Sequence, residues 1–138
     1  MNVFILEDDT TQRIRLEKMI KEALEKHSIL YKKIFSTSRP IHLLNEINFR
    51  AGYHIYFLDL EINNHSRKGL EIAQLIRQKD SYGTIVFVTT LSELAPKTFA
   101  YKVSALDFIE KDQSDFEFRK RIEECLMIAN QYQKKNSK

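Results

Sequence analysis

Glu7 and Asp8 stand at the end of one short apolar run, Val3 to Leu6, and Asp59 ends another, Ile55 to Leu58. Thr89 follows a third run, Ile85 to Val88, and Lys111 lies just past a fourth, Ala105 to Ile109. If those runs lie side by side, three carboxylates, a hydroxyl and an ammonium converge. Like charges gathered that closely are unfavourable without a cation among them. One to three carboxylates, with water completing an octahedron, are hard oxygen donors that suit Mg²⁺ better than a metal preferring thiolate or imidazole. Lys111 adds a flexible point charge and Thr89 a hydroxyl donor, so an anion such as a phosphoryl group would meet a cation on each side. A carboxylate can itself be the nucleophile, forming an aspartyl phosphate while the metal offsets its repulsion from the incoming oxygens. Asp59, alone at the end of a central run, is the best placed for that role. Taken singly, each carboxylate reads as readily as a helix cap or a solvated loop group, and Asp9 is a natural cap for the first helix. Only the joint pattern argues for a site.

The elements that must position these groups follow from periodicity. Leu16, Met19, Ile20, Ala23 and Leu24 recur at helical spacing between Thr10 and Lys26. Ile29 to Phe35 carries β-forming residues around two lysines and is expected as an edge strand. Pro40 suits the first turn of a helix bearing Leu43, Leu44 and Ile47. The polar stretch Asn63 to Lys68 before Gly69 reads as a loop, and Leu70, Ala73 and Ile76 mark the next helix. A further helix is expected from near Ser92, with Pro96 in its first turn or so. Ser114 and Glu117 have the spacing of a capping box opening a last helix with the stripe Phe118, Ile122, Leu126 and Ala129. Strand and helix thus alternate five times. Unbroken apolar strands are buried on both faces, so the expected fold is a doubly wound α/β domain: five parallel strands with helices on both faces, flavodoxin-like. Ligands of such sheets bind at the carboxyl ends of the strands. All five candidate groups sit there.

Phe4-Ile-Leu-Glu7-Asp8-Asp9, Tyr56-Phe-Leu-Asp59, Ile85-Val-Phe-Val-Thr89-Thr90 and Ala105-Leu-Asp-Phe108-Ile-Glu-Lys111 resemble the successive motifs of two-component response-regulator receiver domains. The resemblance runs from about Met1 to Asn130. Val88-Thr-Thr-Leu-Ser-Glu93 and Tyr101-Lys-Val-Ser-Ala-Leu-Asp-Phe-Ile-Glu-Lys-Asp112 are similar to the peptide-pheromone regulators of Gram-positive bacteria, in quorum sensing, competence and bacteriocin production, whose receiver precedes a LytTR DNA-binding domain. The resemblance implies that Asp59 is the phosphoacceptor and that Glu7, Asp8, Asp59 and the main-chain carbonyl of Glu61 hold Mg²⁺. It implies that Thr89 and Lys111 bind phosphoryl oxygens, and that Phe108 changes rotamer as Thr89 moves. Phe99 and Tyr101 would border the output surface. The implied donor is a phosphohistidine on a membrane sensor histidine kinase, and the implied consequence a homodimer on phosphorylation. Such a module is a phosphoacceptor rather than an enzyme in its own right.

Three departures from the broader receiver pattern stand out. Asp112 follows Lys111 where most receivers have proline, so a trans bond is expected there, a non-proline cis bond costing about 2.5–4 kcal/mol. The segment from Asp59 to Gly69 is about two residues longer than usual. Phe108 lacks the hydroxyl of the more common tyrosine, so any switch there works by packing. Leu91 offers no polar group to orient an attacking water, which favours a long-lived aspartyl phosphate.

The 138 residues, 43% hydrophobic and 11% aromatic, suit one domain with a real core, taken here as 1–130 with 131–138 the start of a linker to an effector domain carried elsewhere. A formal net charge of +3, partly in the lysine-rich end, is too small for a dedicated nucleic-acid face, so DNA would be reached only through that other domain. No apolar run approaches the roughly 20 residues of a membrane span, and Met1 leads into a strand rather than a leader; with the single Cys125, a cytoplasmic protein without direct membrane binding is expected. His27, His42, His54 and His65 show no ligand spacing, and Cys125 reads as a small core residue. Two alternatives stay open. Asp59-Leu-Glu61 mimics the nucleophile and acid of haloacid-dehalogenase-like phosphatases, which carry that motif on a first strand. A non-phosphorylated docking pseudo-receiver would normally lack one of the five groups.

Overall fold

The computed structural model describes residues 1–47, 53–65, 67–90 and 101–136. Its elements are β1 (Val3–Leu6), α1 (Thr10–Lys26), β2 (Ile34–Thr37), α2 (Pro40–Glu46), β3 (Ile55–Leu58), α3 (Lys68–Lys79), β4 (Thr84–Thr89), β5 (Asp107–Glu110) and α4 (Asp115–Asn136). The five strands form one sheet in the order β2-β1-β3-β4-β5, every neighbour parallel. The helix expected near Ser92, with Leu91, Pro96 and Phe99, lies outside the described residues.

Because successive strand side chains point to opposite faces, each apolar run feeds two cores. Val3, Ile5, Ile55, Phe57, Val86, Val88 and Ile109 meet Leu16, Met19, Ile20 and Leu24 of α1 and Phe118, Ile122 and Leu126 of α4. Phe4, Leu6, Tyr56, Leu58, Ile85 and Phe87 meet Leu43 of α2 and Leu70, Ala73 and Ile76 of α3. Each large side chain buried this way contributes about 1.5–3 kcal/mol. The surface ion pairs that also join α1 to α4, among them Arg15 to Asp115 at 2.7 Å, Arg119 to Glu22 at 2.8 Å and Lys26 to Glu123 at 3.0 Å, are screened by solvent and add little. Burial, not charge, holds the helices on the sheet.

Helix ends explain where the chain turns. Asp9 caps α1, its Oδ1 accepting from Gln12 N–H at 2.9 Å. Ser114 Oγ accepts from Glu117 N–H at 3.2 Å, as the capping-box reading of α4 requires. The edge strand expected over Ile29 to Phe35 begins later, at Ile34. Ser28 adopts φ 52°, its N–H bonds Glu25 O at 3.2 Å, and Ile29 N–H bonds Leu24 O at 2.9 Å. That is a Schellman ending of α1, and the buried Ile29 is its apolar contact rather than a strand residue. β5 likewise starts at Asp107 rather than Ala105, and α4 continues to Asn136, through most of the stretch expected as linker. No described peptide bond is cis, Lys111–Asp112 included.

Gly69 lets α3 start directly against the end of β3. Its N–H donates to Leu60 O at 2.8 Å, and a Cβ there would lie 2.1 Å from Asp59 O and 2.6 Å from Leu60 Cα. Both are backbone atoms of the site-bearing turn and cannot swing aside. Gly69→Ala is therefore expected to lower stability by about 1–3 kcal/mol through overpacking. A shifted urea midpoint at unchanged slope would show it, and an unchanged midpoint would refute the close approach.

Candidate functional site

β1 and β3 are adjacent and in register, Leu6 opposite Leu58, so the residues that follow them emerge side by side. Asp59 N–H donates to Leu6 O at 3.0 Å, and Glu7 N–H to Thr37 O at 3.1 Å. β4 and β5 pair on the other side of β3, and Lys111 N–H donates to Thr89 O at 3.0 Å. Backbone ladders thus deliver Glu7, Asp8, Asp59 and Lys111 to one sheet edge. The chain runs outward to β2 on one side of β1 and to β3 on the other, and the crevice between β1 and β3 is the switch point at which doubly wound sheets bind ligands.

Lys111 occupies the centre. Its Nζ contacts Glu7 Oε1 and lies 2.8 Å from Asp59 Oδ2. Glu7 is 2% exposed and Asp59 6% exposed, so water does little of the charge compensation. Burial pushes the Glu7 carboxyl up, and the charge of Asp59 adds to it; the bonds to Lys111 pull the other way without cancelling them, leaving it at about 7. For Lys111 burial acts downward, but its bonds to Asp59 and Glu7 outweigh it and hold the ammonium above the ordinary lysine range. Glu7 is fixed further by Asp9 N–H, which donates to its Oε2 at 3.1 Å, and by Arg13 Nη1, which bonds its carbonyl at 2.9 Å.

Glu7, Asp8 and Asp59 each bring one carboxylate oxygen within 4.8 Å of the others. Octahedral Mg²⁺ holds oxygens about 2.0–2.1 Å from the metal, and hence roughly 3–4 Å from one another. The donor set is all hard oxygen, and a small inward movement brings it to that size, so these residues fit the ion. Glu61 lines the same open cleft of about 480 Å³ and donates its N–H to Asp59 Oδ1 at 3.3 Å.

Thr89 is fully buried at the end of β4, and the residue of that strand end lining the cleft is Thr90. Phe108 is half-buried against the core that α2 and α3 cover, its ring tilted against Phe87 at 6.1 Å. Tyr101 packs against the same core, and its carbonyl accepts from Gln74 Nε2 at 3.2 Å. Phe99 is outside the described residues. His54 accepts from Asn2 N–H through Nδ1 and sits edge-on to Phe4, away from any metal cluster, and Cys125 is a buried free thiol with its acidity suppressed by burial.

Sequence reasoning missed the supporting contacts. Arg13 carries no local sign that it will reach back to Glu7. The pair Asn63-Asn64, by contrast, is a turn signal, and it folds into a tight turn whose Asn63 N–H bonds Asp8 Oδ2 at 2.9 Å.

Comparison with known proteins agrees with this geometry. The family model for the response regulator receiver domain matches residues 3–123. The chain is 36% identical over 130 residues to accessory gene regulator protein A of Staphylococcus aureus, covering 94% of this chain and 54% of that protein. It spans about half the length of the curated relatives it matches. The response regulatory domain of protein mrkE from Klebsiella pneumoniae superimposes with a TM-score of 0.71 at 25% identity, covering 99% of this chain and 100% of that one. The REC domain of AraT, a response regulator from Geobacillus stearothermophilus, gives 0.73 at 16% identity, covering 99% and 98%, a likeness of fold alone. The phosphatase alternative is not favoured, its motif falling on β3 rather than on a first strand. Strand order, the acidic cluster at the β1–β3 crevice and the matched span agree: the chain belongs to the response regulator receiver domain family, and is a signalling domain of a two-component system.

Proposed function

We propose that Asp59 is the phosphoacceptor, and that the donor is a phosphohistidine of a membrane sensor histidine kinase. The observation that carries this reading is the Lys111 ammonium seated between Glu7 and Asp59, with Asp8 beside them, at an open cleft. In the transfer an Asp59 carboxylate oxygen attacks phosphorus, the bond from phosphorus to the imidazole nitrogen breaks, and that nitrogen keeps the electron pair. Lys111 faces one phosphoryl oxygen, and Thr89, at the end of the neighbouring strand, is the hydroxyl donor for another. Glu7, Asp8, Asp59 and the Glu61 carbonyl would hold Mg²⁺, which supplies charge neutralisation for the acidic cluster and the incoming oxygens.

Phe108 and Tyr101 both pack, half-buried, against the same core as Phe87, which supports a packing route from Thr89 toward an output face that includes Phe99 and Tyr101. The name of the relative, a gene regulator, and its greater length support an effector domain beyond this receiver, which we read as the LytTR type that the sequence motifs resemble, with DNA contacted only there. A homodimer formed on phosphorylation and a cytoplasmic location complete the reading. No described helix is long and apolar enough to cross a membrane.

Acetyl phosphate with Mg²⁺ is expected to add one phosphoryl mass to the wild type and none to Asp59→Ala; incorporation in the variant would move the acceptor elsewhere. Tyr101→Ala should weaken phosphorylation-dependent association by tenfold or so while shifting thermal stability little, and equal loss of both would make Tyr101 a packing residue only. The raised Glu7 group gives a third outcome. Its folded form holds a proton over pH 4.5–7 that the unfolded chain has released, so with chelator present stability falls as pH rises through that window and levels off above about 7. The loss is roughly 1–3 kcal/mol. Denaturant midpoints between pH 5 and 8 measure it, Glu7→Gln should flatten the slope, and a slope unchanged in the variant would assign it to another group.

A further inference from the structure

The polar stretch after Asp59 is not an irregular loop. Ile62 N–H bonds His65 O at 3.2 Å and His65 N–H bonds Ile62 O at 3.0 Å, an antiparallel bridge closed by two residues. Those two, Asn63 and Asn64, have φ of 52° and 67°, the paired left-handed conformation of a type I′ turn, which asparagine tolerates better than most residues. The base is anchored by the fully buried Ile62 and by the Gly69 N–H bond to Leu60 O, while Asn63, Asn64 and His65 are exposed. The tip reaches across the cleft. Asn63 N–H donates to Asp8 Oδ2 at 2.9 Å, joining residues 55 apart in sequence.

Asp8 differs from its neighbours in needing this. Lys111 holds both Glu7 and Asp59, whereas Asp8 forms no ion pair among the described residues. A carboxylate at a partly exposed strand end samples several rotamers unless a second group restrains it. We infer that the Ile62–His65 hairpin between Asp59 and Gly69 is the positioning element for Asp8. Its tip N–H engages one carboxylate oxygen and presents the other to a divalent cation beside Glu7 and Asp59. The inference rests on the reading of Asp8 as a Mg²⁺ ligand. Hydrogen bonds of this kind to a ligand carboxylate change metal affinity by about 10–100-fold.

The test is Mg²⁺ titration calorimetry on the unphosphorylated chain, together with amide hydrogen exchange. Asp8→Ala should weaken Mg²⁺ binding by tenfold or more. The pair Asn63→Val and Asn64→Val, β-branched residues that resist left-handed φ, should weaken it about tenfold with the unfolding midpoint little changed. Asn63→Gly with Asn64→Gly keeps the turn and its N–H and should bind within about twofold of wild type. Without metal, the Asn63 amide should be protected in wild type and lose protection in Asp8→Ala, a measurement that decides the matter even if the valine pair fails to fold. Wild-type affinity in the valine pair, with Asp8→Ala weakened, overturns the hairpin's role alone. Wild-type affinity in Asp8→Ala overturns the metal-site reading and this inference together.

Discussion

Two buried carboxylates at adjacent strand ends repel each other unless a positive charge lies between them, and in this chain that charge is Lys111. Coulomb repulsion at such range between two buried carboxylates outweighs most single contacts in a domain of this size. Removing one partner of a buried ionic group typically costs about 3–5 kcal/mol, because the remaining charge is left uncompensated. Glu7, Asp59 and Lys111 are therefore a unit, and the order of the sheet is what makes the unit possible. β1 beside β3 brings the two carboxylates together, and β5 beside β4 brings the lysine within reach of both.

The same triad leaves the site poised. One ammonium faces two carboxylates directly, Asp8 stands beside them without an ion pair among the described residues, and the cleft is open to solvent. A further cation and a dianionic phosphoryl group are each complementary to what is already there. Stability is exchanged for readiness, as functional sites commonly show. The opposite end of the sheet is built otherwise. There Tyr56 Oη donates to the buried Asp80 Oδ2 at 2.7 Å, and Arg77 gives its N–H groups to the carbonyls of Gly83 and Val103. That end ties α3, β4 and the chain before β5 together and, among the described residues, shows no acidic cluster like the one at the cleft.

Much of this was readable from residue types. The apolar runs ending in Asp59 and in Glu7-Asp8 announced buried parallel strands, and alternation with helical stripes announced two covered faces, as observed. Misreadings came where hydrophobicity had another cause. Ile29 is apolar because it closes the end of α1, not because it lies in a strand. The loop expected after Asp59 is a loop, and within it Asn63 and Asn64 close a two-residue turn whose tip N–H reaches Asp8. Thr89 and Thr90 are adjacent and chemically alike, so periodicity alone could not say that Thr90 lines the cleft while Thr89 is fully buried at the strand end.

Local patterning by itself determined most element types, the fold class and the short set of candidate side chains at the strand ends, because burial periodicity, caps and strand-end residues are encoded within a few positions. Only the tertiary structure decided which of them touch. That Lys111 bridges Glu7 and Asp59, that Arg13 secures the Glu7 backbone, and that an N–H of the β3–α3 hairpin holds Asp8 all depend on strand order and on backbone groups. Backbone N–H and carbonyl groups are the same at every residue, so their partners leave no mark in residue identity until the chain has folded.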